Sequence, residues 1–286
     1  MTDIDSRRRI VFIDIDGTIL EHGSRMSSST PAAIAAARAN GHLVYLCTGR
    51  SAGDINPRVR EIPVDGAITN GGAFAVRGSE QIVAHPMPRP LVDRMVAYFV
   101  EHDAHYFLQT DQTVYVSPGV LAYAAEFRRA AHPPVDGVDD RAAEAADTDL
   151  LNHYRPLDEV DLDAVVKATF LSTSSDTLDR AADELGPDFH VIPGSIPLPG
   201  GSNGEICQQG VNKGAAILEV LDALGMDPAD AVGIGDSWND VEMFQTVGTA
   251  VAMGNADPEL QAMADLVTTG VLDDGIHNAL RRLSLI

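Results

Sequence analysis

An apolar run that ends in two carboxylates is the feature of this sequence that most constrains its fold. Residues 10–13 are Ile-Val-Phe-Ile, and Asp14, Ile15, Asp16 and Gly17 follow directly. A short β-branched run predicts a strand that is buried on both faces, as in a parallel sheet. Alternate residues of an extended chain point the same way, so we expect both aspartate side chains to share one small space at the end of this strand. Two close anions repel each other unless a cation or a shared proton is present, although a solvated acidic turn remains the alternative because Asp-Gly is a common turn pair.

The charge of the chain limits its partners. The 286 residues include 42 acidic and 20 basic side chains, which gives a formal net charge of −22. A field of that sign repels nucleic acid and anionic membrane surfaces, so we expect neither as a partner. It also repels an anionic ligand, so a phosphate site in this chain needs its own local positive charge or a metal.

Cysteine usage and hydropathy predict a cytoplasmic protein. Cys47 and Cys207 lack the spacing of a metal site and are too few for a disulfide framework. Residues 7–9 are three arginines, as in some export signals, but acidic residues interrupt the apolar run that follows them. No stretch approaches the roughly 20 apolar residues that a membrane-spanning helix needs. We expect a soluble monomer or homodimer.

Strand and helix patterns alternate in the first part of the chain. Residues 42–47 form a second apolar strand pattern that runs into Thr48, and residues 67–70 form a third that ends at Asn70. This alternation is typical of a parallel α/β sheet. Ligands bind at the carboxyl ends of the strands in such sheets, and Asp14, Thr48 and Asn70 would all stand there.

A different pattern interrupts this alternation and predicts an inserted domain. Residues 84–192 begin with a proline-dense connector and then mix helices with a hairpin-like pair of strands, which is typical of an α+β fold. The α/β pattern then resumes, so we expect a core formed by residues 1–83 and 193–286. Within the insert, residues 133–163 contain ten acidic residues against two arginines and predict a solvated, mobile loop.

A second acidic cluster repeats the arrangement of the first. Asp236 follows the apolar strand pattern of residues 231–235, and Asp240 lies four residues later on the same face of the next helical turn. Three or four carboxylates at the ends of neighbouring parallel strands need a hard cation, and oxygen ligands without His or Cys favour Mg²⁺. A solvated acidic turn explains either cluster alone but explains the two together poorly.

One hydroxyl and one lysine are placed to hold an anion. A phosphate group needs a hydroxyl, a cation and backbone N–H groups. Thr48 at the end of the second strand offers the hydroxyl, and Lys213 before a core helix offers the cation. The chain has only two lysines, Lys167 and Lys213, which favours a functional role for Lys213 over the usual surface position.

Four ordered motifs give the sequence a resemblance to a known family. In their order and spacing they resemble the haloacid dehalogenase superfamily, and they are residues 14–18, 48–50, 213–214 and 235–240. Three further segments resemble its Cof-like phosphatase branch, and they are residues 70–72, 204–206 and 251–256. The resemblance implies a Rossmann-like core with a parallel sheet and an α+β cap domain of the C2B type, inserted after the third core strand.

The resemblance implies catalytic and phosphate-binding roles. Asp14 would attack phosphorus as the nucleophile and form an aspartyl-phosphate. Asp16 would protonate the leaving group and then activate water. Thr48, Lys213 and Asn239 would hold the phosphoryl group.

It also implies a Mg²⁺ site and substrate contacts. The metal would be held by Asp14, by Asp16 through its main-chain carbonyl, by Asp236 directly, and by Asp240. Asp240 would act through water or instead orient Lys213. Candidate substrate contacts on the core are Gly49, Arg50, Asn70 and Gly71.

We therefore predict a Mg²⁺-dependent phosphomonoester hydrolase that acts on a small phosphorylated metabolite such as a sugar or polyol phosphate. A phosphotransferase or phosphomutase of the same fold is one alternative, and it would leave the phosphoryl group on an organic acceptor. A phospho-accepting or binding protein without turnover is another. Signalling receivers of that kind lack a second acid two residues after the acceptor, and they leave the large insert unexplained. No motif in the insert names the substrate.

Overall fold

The structure is a computed structural model that describes residues 7–123, 154–194, 198 and 200–286. These residues form two compact units. The first contains the chain up to residue 50, residues 55–85 and residues 211–286, and the second contains residues 51–54 and 86–210. Most of the acidic loop predicted over 133–163, and most of a helix expected over 119–131, lie outside the described residues.

Fourteen strands lie within the described residues. In chain order they are β1 (Ile10–Ile13), β2 (Leu43–Cys47), β3 (Gly66–Thr69), β4 (Phe74–Arg77), β5 (Glu80–Ala84), β6 (His105–Gln109), β7 (Val114–Val116), β8 (Tyr154–Pro156), β9 (Lys167–Ser172), β10 (Phe189–Pro193), β11 (Ser202–Gln208), β12 (Ala231–Gly235), β13 (Thr249–Ala252) and β14 (Leu266–Val267).

Eight α-helices lie wholly within the described residues, and a further helical segment covers residues 120–123. The eight are α1 (Thr30–Ala39), α2 (Pro57–Arg60), α3 (Arg89–Glu101), α4 (Thr177–Leu185), α5 (Lys213–Leu224), α6 (Val241–Thr246), α7 (Pro258–Gln261) and α8 (Gly275–Arg282). None of the helices in these ranges combines the length and the apolar character needed to cross a membrane.

The first unit is built on one eight-stranded sheet in the order β14-β13-β12-β1-β2-β3-β4-β5. The six strands from β14 to β3 are parallel, and β4 and β5 add an antiparallel hairpin at the edge. Strand β1 lies inside the sheet, where Ile13 is opposite Ile234 of β12 and Leu46 of β2. The predicted parallel α/β core is therefore confirmed.

Helices cover both faces of this sheet, which explains why β1 is continuously apolar. Val11 and Ile13 pack on the face that also buries Ile34 of α1. Phe12 packs on the opposite face with Ile217 of α5. All five side chains are fully buried, and burial of each contributes about 1.5–3 kcal/mol relative to exposure. The strand is therefore held from both sides, and the residues that follow it have a fixed starting point.

Helix α5 has a recognisable sequence signal at each end. The side chain of Asn212 accepts a hydrogen bond from the backbone N–H of Ala215 at 2.8 Å, which satisfies one of the free donors of the first turn. Gly225 ends the helix in the left-handed conformation, where a residue without a Cβ is favoured. Lys213 is the first residue of the helix.

The second unit is an α+β fold with a six-stranded sheet in the order β10-β11-β9-β6-β7-β8. Its strands are antiparallel except for the pair β7 and β8. The core contains Phe99 of α3, Tyr106 of β6 and Ala181 of α4, and the rings of Phe99 and Tyr106 stack with centroids 4.8 Å apart. The predicted α+β character of the insert agrees with this architecture.

The boundary of the insert differs from the one expected at residue 193. Strand β11 pairs with β9 and β10, so residues up to 210 belong to the second unit and the first unit resumes at 211. The residues of β11, Ser-Asn-Gly-Glu-Ile-Cys-Gln, have little apolar alternation, and their pairing depends on distant strands rather than on local pattern. Residues 154–164 also differ from the expected loop, since they form β8 and two short 3₁₀ turns.

Two local elements also depart from the predicted pattern. A helix expected over 51–60 is interrupted, and consists of a 3₁₀ turn over Ala52–Asp54 and the short helix α2. Asn56 caps α2 by accepting a hydrogen bond from Arg58 N at 2.9 Å, and Pro57 takes the first helical position. The hairpin of β4 and β5 was not predicted.

Candidate active site

The carboxyl ends of three neighbouring strands position the site. Asp14 follows β1, and its N–H donates to the carbonyl of Ile234 at 2.9 Å. Thr48 follows β2, and its N–H donates to the carbonyl of Ile68 at 2.9 Å. Asp236 follows β12. Because these strands are hydrogen-bonded neighbours, the three side chains begin from one edge of the sheet.

Lys213 joins the two acidic clusters. Its ammonium donates to Asp14 Oδ1 at 2.7 Å, to Asp240 Oδ1 at 2.6 Å and to Asn239 Oδ1 at 3.0 Å. These contacts use all three of its N–H donors. Lys213 is only 1% exposed, and a buried ammonium is tolerated only when it is paired in this way. Lys213 therefore lies between the two acidic turns as their shared cationic partner.

Asp240 is held at both of its oxygens. Oδ1 accepts from Lys213, while Oδ2 accepts from the backbone N–H of Asp236 at 3.0 Å and of Ser237 at 3.1 Å. The Ser237 hydroxyl in turn donates to Asn239 Oδ1 at 2.9 Å. Ser237 and Asp240 form a capping box at the start of this helical turn. The turn after β12 therefore holds Asp240 and Asn239 on the ammonium with little freedom.

Asp236 packs against the turn after β1. Its Oδ1 accepts a hydrogen bond from the Thr18 hydroxyl at 2.9 Å. Gly17 has φ of 86°, and a Cβ placed on it would lie 1.9 Å from Asp236 Oδ2. Only glycine fits there, for both its backbone conformation and its closeness to the carboxylate. The turn formed by Asp16, Gly17 and Thr18 therefore packs closely against Asp236, which lies more than 200 residues later in the sequence.

Asp14, Asp236 and Asp240 form a cluster in which one carboxylate oxygen from each lies within 4.8 Å of the others. Burial raises the pKa of Asp14 well above its usual value, and the carboxylates of Asp240 and Asp236 raise it further against the lowering effect of Lys213. Burial and Asp240 raise the pKa of Asp236 to about 7. One ammonium thus faces three carboxylates, and this excess of negative charge in an all-oxygen donor set suits a hard divalent cation.

The ammonium itself stays protonated. Burial alone lowers the pKa of Lys213, but the carboxylates of Asp14 and Asp240 outweigh burial and raise this pKa above its usual value. Lys213 is therefore a fixed positive charge beside Asp14 rather than a proton donor. Cys47, which precedes Thr48, is buried beside the same groups, and burial raises the pKa of its thiol.

The carboxylate of Asp16 does not join this cluster. The chain bends at Ile15, so the rule that alternate residues of an extended strand share a direction does not apply. Asp16 accepts two hydrogen bonds from Arg50, at 2.5 Å from Nε and 2.8 Å from Nη2, in a bidentate ion pair. The expectation that Asp14 and Asp16 share one small space is therefore wrong in detail: each carboxylate has its own cationic partner.

The loops at residues 48–50 and 70–71, which carry the other predicted site residues, are joined by backbone hydrogen bonds. Asn70 N–H donates to the carbonyl of Arg50 at 2.7 Å, and Gly71 N–H donates to the carbonyl of Thr48 at 3.0 Å. Arg50 N–H donates to the Thr48 hydroxyl at 3.2 Å. A Cβ on Gly72 would lie 2.2 Å from the carbonyl oxygen of Asn212, so this loop packs closely on the start of α5. Thr48, Gly49, Arg50, Asn70 and Gly71 thus lie beside the cluster as one joined loop pair.

The sequence reasoning gave no role to several residues that hold the site together. Thr18 holds Asp236, Ser237 holds Asn239, and Asn255 Nδ2 donates to the carbonyl of Gly17 at 2.8 Å. The capping box of Ser237 and Asp240 has a sequence signature, a serine three residues before an acid. The contacts of Thr18 and Asn255 join residues more than 200 positions apart and leave no local signal.

The family follows from comparison of the whole chain with known proteins. A family model of haloacid dehalogenase-like hydrolases matches residues 11–280. The chain therefore belongs to this family and is a hydrolase of it, as the resemblance implied.

Relatives of similar length support this placement. The putative phosphatase YkrA of Bacillus subtilis (strain 168) is 28% identical over 279 residues, covering 97% of this chain and 98% of YkrA. The 5-amino-6-(5-phospho-D-ribitylamino)uracil phosphatase YwtE of the same strain is 26% identical over 277 residues, covering 94% and 95%. Among solved structures, the subclass IIB sugar phosphatase BT4131 superposes with a TM-score of 0.75 at 23% identity, covering 97% of this chain and all of that one. The predicted fold class is therefore confirmed.

Proposed function

We propose that this protein is a Mg²⁺-dependent phosphomonoester hydrolase that works through an aspartyl-phosphate on Asp14. The observation that carries the proposal is the buried contact of Lys213 with Asp14 at 2.7 Å, beside the carboxylates of Asp236 and Asp240. A carboxylate nucleophile that attacks an anionic ester needs positive charge beside it, because phosphoryl transfer depends chiefly on positioning and charge neutralisation. Lys213 supplies one such charge, and a cation held by the surrounding carboxylates would supply the rest.

Asp14 is the group best placed to attack phosphorus. One of its oxygens is held by Lys213, which fixes the direction of the carboxylate. Attack forms a bond between an Asp14 oxygen and phosphorus and breaks the bond to the leaving alkoxide. A water molecule then attacks the same phosphorus, releases inorganic phosphate and regenerates the Asp14 carboxylate.

Asp16 serves both steps as an acid and a base. It donates a proton to the alkoxide in the first step and takes one from water in the second. Its carboxylate is more exposed than that of Asp14, and Arg50 orients it through two hydrogen bonds. Arg50 must release at least one of these oxygens when Asp16 carries the proton, so Arg50 acts as a positioning residue.

The phosphoryl oxygens are held by Thr48, Lys213 and Asn239. Asn239 accepts from Lys213 through Oδ1, and its Nδ2 makes no hydrogen bond within the described ranges, so this amide is available to the phosphoryl group. Gly49, Arg50, Asn70 and Gly71 contact the substrate from the loops beside Thr48.

The cluster fits Mg²⁺, since it offers oxygen donors only and carries more negative than positive charge. Asp14, Asp236 and Asp240 would supply side-chain oxygens, and Asp16 would supply its main-chain carbonyl. A metal bound there would neutralise charge between the nucleophile and the ester. Asp240 Oδ2 already accepts two backbone hydrogen bonds, which favours its acting through water or through Lys213.

The substrate is a small phosphorylated metabolite, and a sugar or polyol phosphate is the class we favour. YwtE is named for a phosphorylated ribityl compound, and BT4131 is described as a sugar phosphatase. The inserted domain determines which leaving group is accepted. It was predicted over residues 84–192 and covers residues 86–210 in the structure. We keep the predictions of a cytoplasmic location and of a monomer or homodimer.

The test is release of inorganic phosphate from p-nitrophenyl phosphate and a panel of sugar and polyol phosphates, with and without Mg²⁺. We expect turnover that requires Mg²⁺ and falls by a factor of about 10³ or more in Asp14→Asn. The matched control is Asp222→Asn on the exposed side of α5, which retains activity. A folded wild-type protein that releases no phosphate from any member of the panel would contradict the proposal, and transfer to an organic acceptor instead of water would favour the phosphotransferase alternative.

A further inference from the structure

The first unit contains a second cavity at the end of the sheet away from Asp14. It has a volume of about 990 Å³ and lies where β2 and β12 begin, with Leu43 and Asp230 in its lining. The residues that precede β3 and those that end α5 complete it, among them Asp65 and Leu224. A volume of this order is that of a small-molecule site.

Four arginines line this cavity in a chain whose net charge is −22. Arg38 is paired with Asp65 at 2.8 Å, and Arg7 with Asp230 at 3.1 Å. Arg8 donates only one hydrogen bond there, from Nε to the carbonyl of Gly41 at 3.1 Å. The Arg77 side chain makes no hydrogen bond or ion pair with any residue in the described ranges. Two guanidinium groups therefore keep free donors.

A buried hydroxyl without a partner lies among these groups. Tyr45 lines the cavity and is fully buried, and its hydroxyl has no hydrogen-bond partner among the described residues. Its ring is fixed, since a Cβ on Gly66 would lie 2.2 Å from Tyr45 Cε1. Burial raises the pKa of Tyr45, Arg77 and Arg8 act against that rise from nearby, and Asp65 adds to it. A buried polar group without a partner is costly and calls for an explanation.

Apolar side chains form the rest of the wall. Leu43, Val64, Leu224 and Met226 line the cavity beside the arginines and the hydroxyl. Asp65, Asp227 and Asp230 also line the cavity, and the first and last of these pair with Arg38 and Arg7. The lining therefore combines a polar part, in which arginines outnumber aspartates by one, with an apolar part, as sites for organic ligands do.

We propose that this cavity binds a small organic anion, a carboxylate or phosphate group joined to an apolar body. Arg8 and Arg77 pair with the anionic group, the Tyr45 hydroxyl donates a hydrogen bond to it, and the apolar body lies against Leu43 and Met226. This site is separate from the cluster around Asp14 and does not depend on the hydrolase proposal.

The experiment is ligand-observed fluorine NMR with the full chain and three probes of matched shape. The anionic probes are para-fluorobenzoate and para-fluorophenylphosphonate, whose C–P bond is not hydrolysed, and the neutral probe is para-fluorobenzamide. The cavity variants are the double variant Arg8→Gln with Arg77→Gln, and Tyr45→Phe. The control is the double variant Arg58→Gln with Arg281→Gln, which changes the charge equally and lies outside the cavity.

We expect at least one anionic probe to bind with a dissociation constant of about 1 mM or below, and the neutral probe to bind about tenfold more weakly. The cavity double variant weakens anion binding about tenfold or more, Tyr45→Phe weakens it without lowering thermal stability, and the control leaves it unchanged. A preference for one anionic probe assigns the group as carboxylate or phosphate. Equal binding of the neutral probe, equal loss in the control, or no saturable binding by either anion would overturn the proposal.

Discussion

Asp236 is the residue of the cluster that links stability to pH. Its ordinary pKa is 3.8, and burial, followed by the nearby carboxylate of Asp240, raises this pKa to about 7. Without metal, the folded state keeps a proton on Asp236 between these two pKa values, where the unfolded chain has already lost it. The free energy of unfolding contributed by this group therefore falls as pH rises between these two values.

A pH-dependent stabilisation by Mg²⁺ follows from this linkage. Below about pH 7, the metal must displace the proton on Asp236 in order to bind. Above about pH 7, the Asp236 carboxylate is already ionised and no proton has to be displaced. We predict that saturating Mg²⁺ raises the melting temperature more at about pH 8 than at about pH 5.5. Thermal unfolding with Mg²⁺ and with EDTA at both pH values measures this difference.

The variant Asp236→Asn serves as the control for that measurement. It removes the titrating group, so we expect a smaller rise in melting temperature with Mg²⁺ and a smaller difference between the rises at the two pH values. An equal stabilisation by Mg²⁺ at both pH values in the wild-type protein would show that Asp236 does not bind the metal.

Gly17 tests how closely the two acidic turns must approach. In Gly17→Ala the new Cβ would overlap Asp236 Oδ2, and its φ of 86° is unfavourable for alanine. We predict a loss of about 2 kcal/mol or more in the free energy of unfolding, together with at least about tenfold weaker activation by Mg²⁺. Denaturant unfolding and activity against Mg²⁺ concentration measure the two effects.

Gly78→Ala is the matched variant. Gly78 has φ of 58° in the turn between β4 and β5, and nothing lies within 4 Å of a Cβ placed there. It should lose about 1–2 kcal/mol through its backbone conformation alone and keep its response to Mg²⁺. A Gly17→Ala protein that behaves like Gly78→Ala in both measurements would remove the argument for a close fit.

At the scale of elements, the first turn of α5 also positions a side chain of the candidate active site. Asn212 caps it, and the next residue is Lys213, whose ammonium reaches both acidic turns. Helix α7 begins in a comparable way, with Asp257 accepting a hydrogen bond from Glu259 N at 2.9 Å. The two caps therefore offer the same local interaction in two different places.

We predict that Asn212→Ala and Asp257→Ala each lower the free energy of unfolding by about 1 kcal/mol, the usual effect of losing an N-cap. Only Asn212→Ala should lower kcat, because fraying of the first turn moves Lys213 away from Asp14. Chemical denaturation and steady-state kinetics separate the two effects. Equal kcat in the two variants would show that the cap has no part in placing Lys213.

Local pattern predicted the elements that carry the site, for a physical reason. Strands β1 and β12 are short apolar runs buried on both faces, and each ends in an acidic turn that the sequence displays directly. Strand β11 was missed because its pairing with β9 and β10, rather than its composition, makes it a strand. Because β11 belongs to the second unit, the insert ends at residue 210 rather than at the predicted residue 192.

The same distinction applies to the residues of the site. The resemblance to the family implies that Lys213 lies near Asp240, and the structure has these two side chains in contact with each other and Lys213 in contact with Asp14. The pairing of Asp16 with Arg50 does not follow, because it depends on the bend at Ile15 and on the path of a loop. Side-chain partners across loops require the assembled backbone.

At the scale of the whole molecule, the first unit uses the two ends of one sheet differently. The carboxyl ends hold a cluster with excess negative charge, suited to a metal, and the other end holds a cavity with free arginines. In a chain with a net charge of −22, an anionic ester can approach the carboxylate cluster only when Lys213 and a bound cation offset its charge, whereas the arginines at the other end attract an anion directly. With its charge offset in this way, Asp14 can act as a nucleophile.

The most direct measurement uses Asp16→Asn with p-nitrophenyl phosphate and Mg²⁺. Nitrophenolate leaves without help from an acid, whereas attack of water on the phosphoryl-enzyme needs Asp16 as the base, so the phosphoryl-enzyme should accumulate in this variant. Rapid mixing, acid quenching and peptide mass spectrometry then locate the phosphoryl group. We predict a burst of about one nitrophenolate per active site with the phosphoryl group on Asp14. A burst with the phosphoryl group on another residue, or hydrolysis that leaves Asp14 unmodified throughout, would contradict the account.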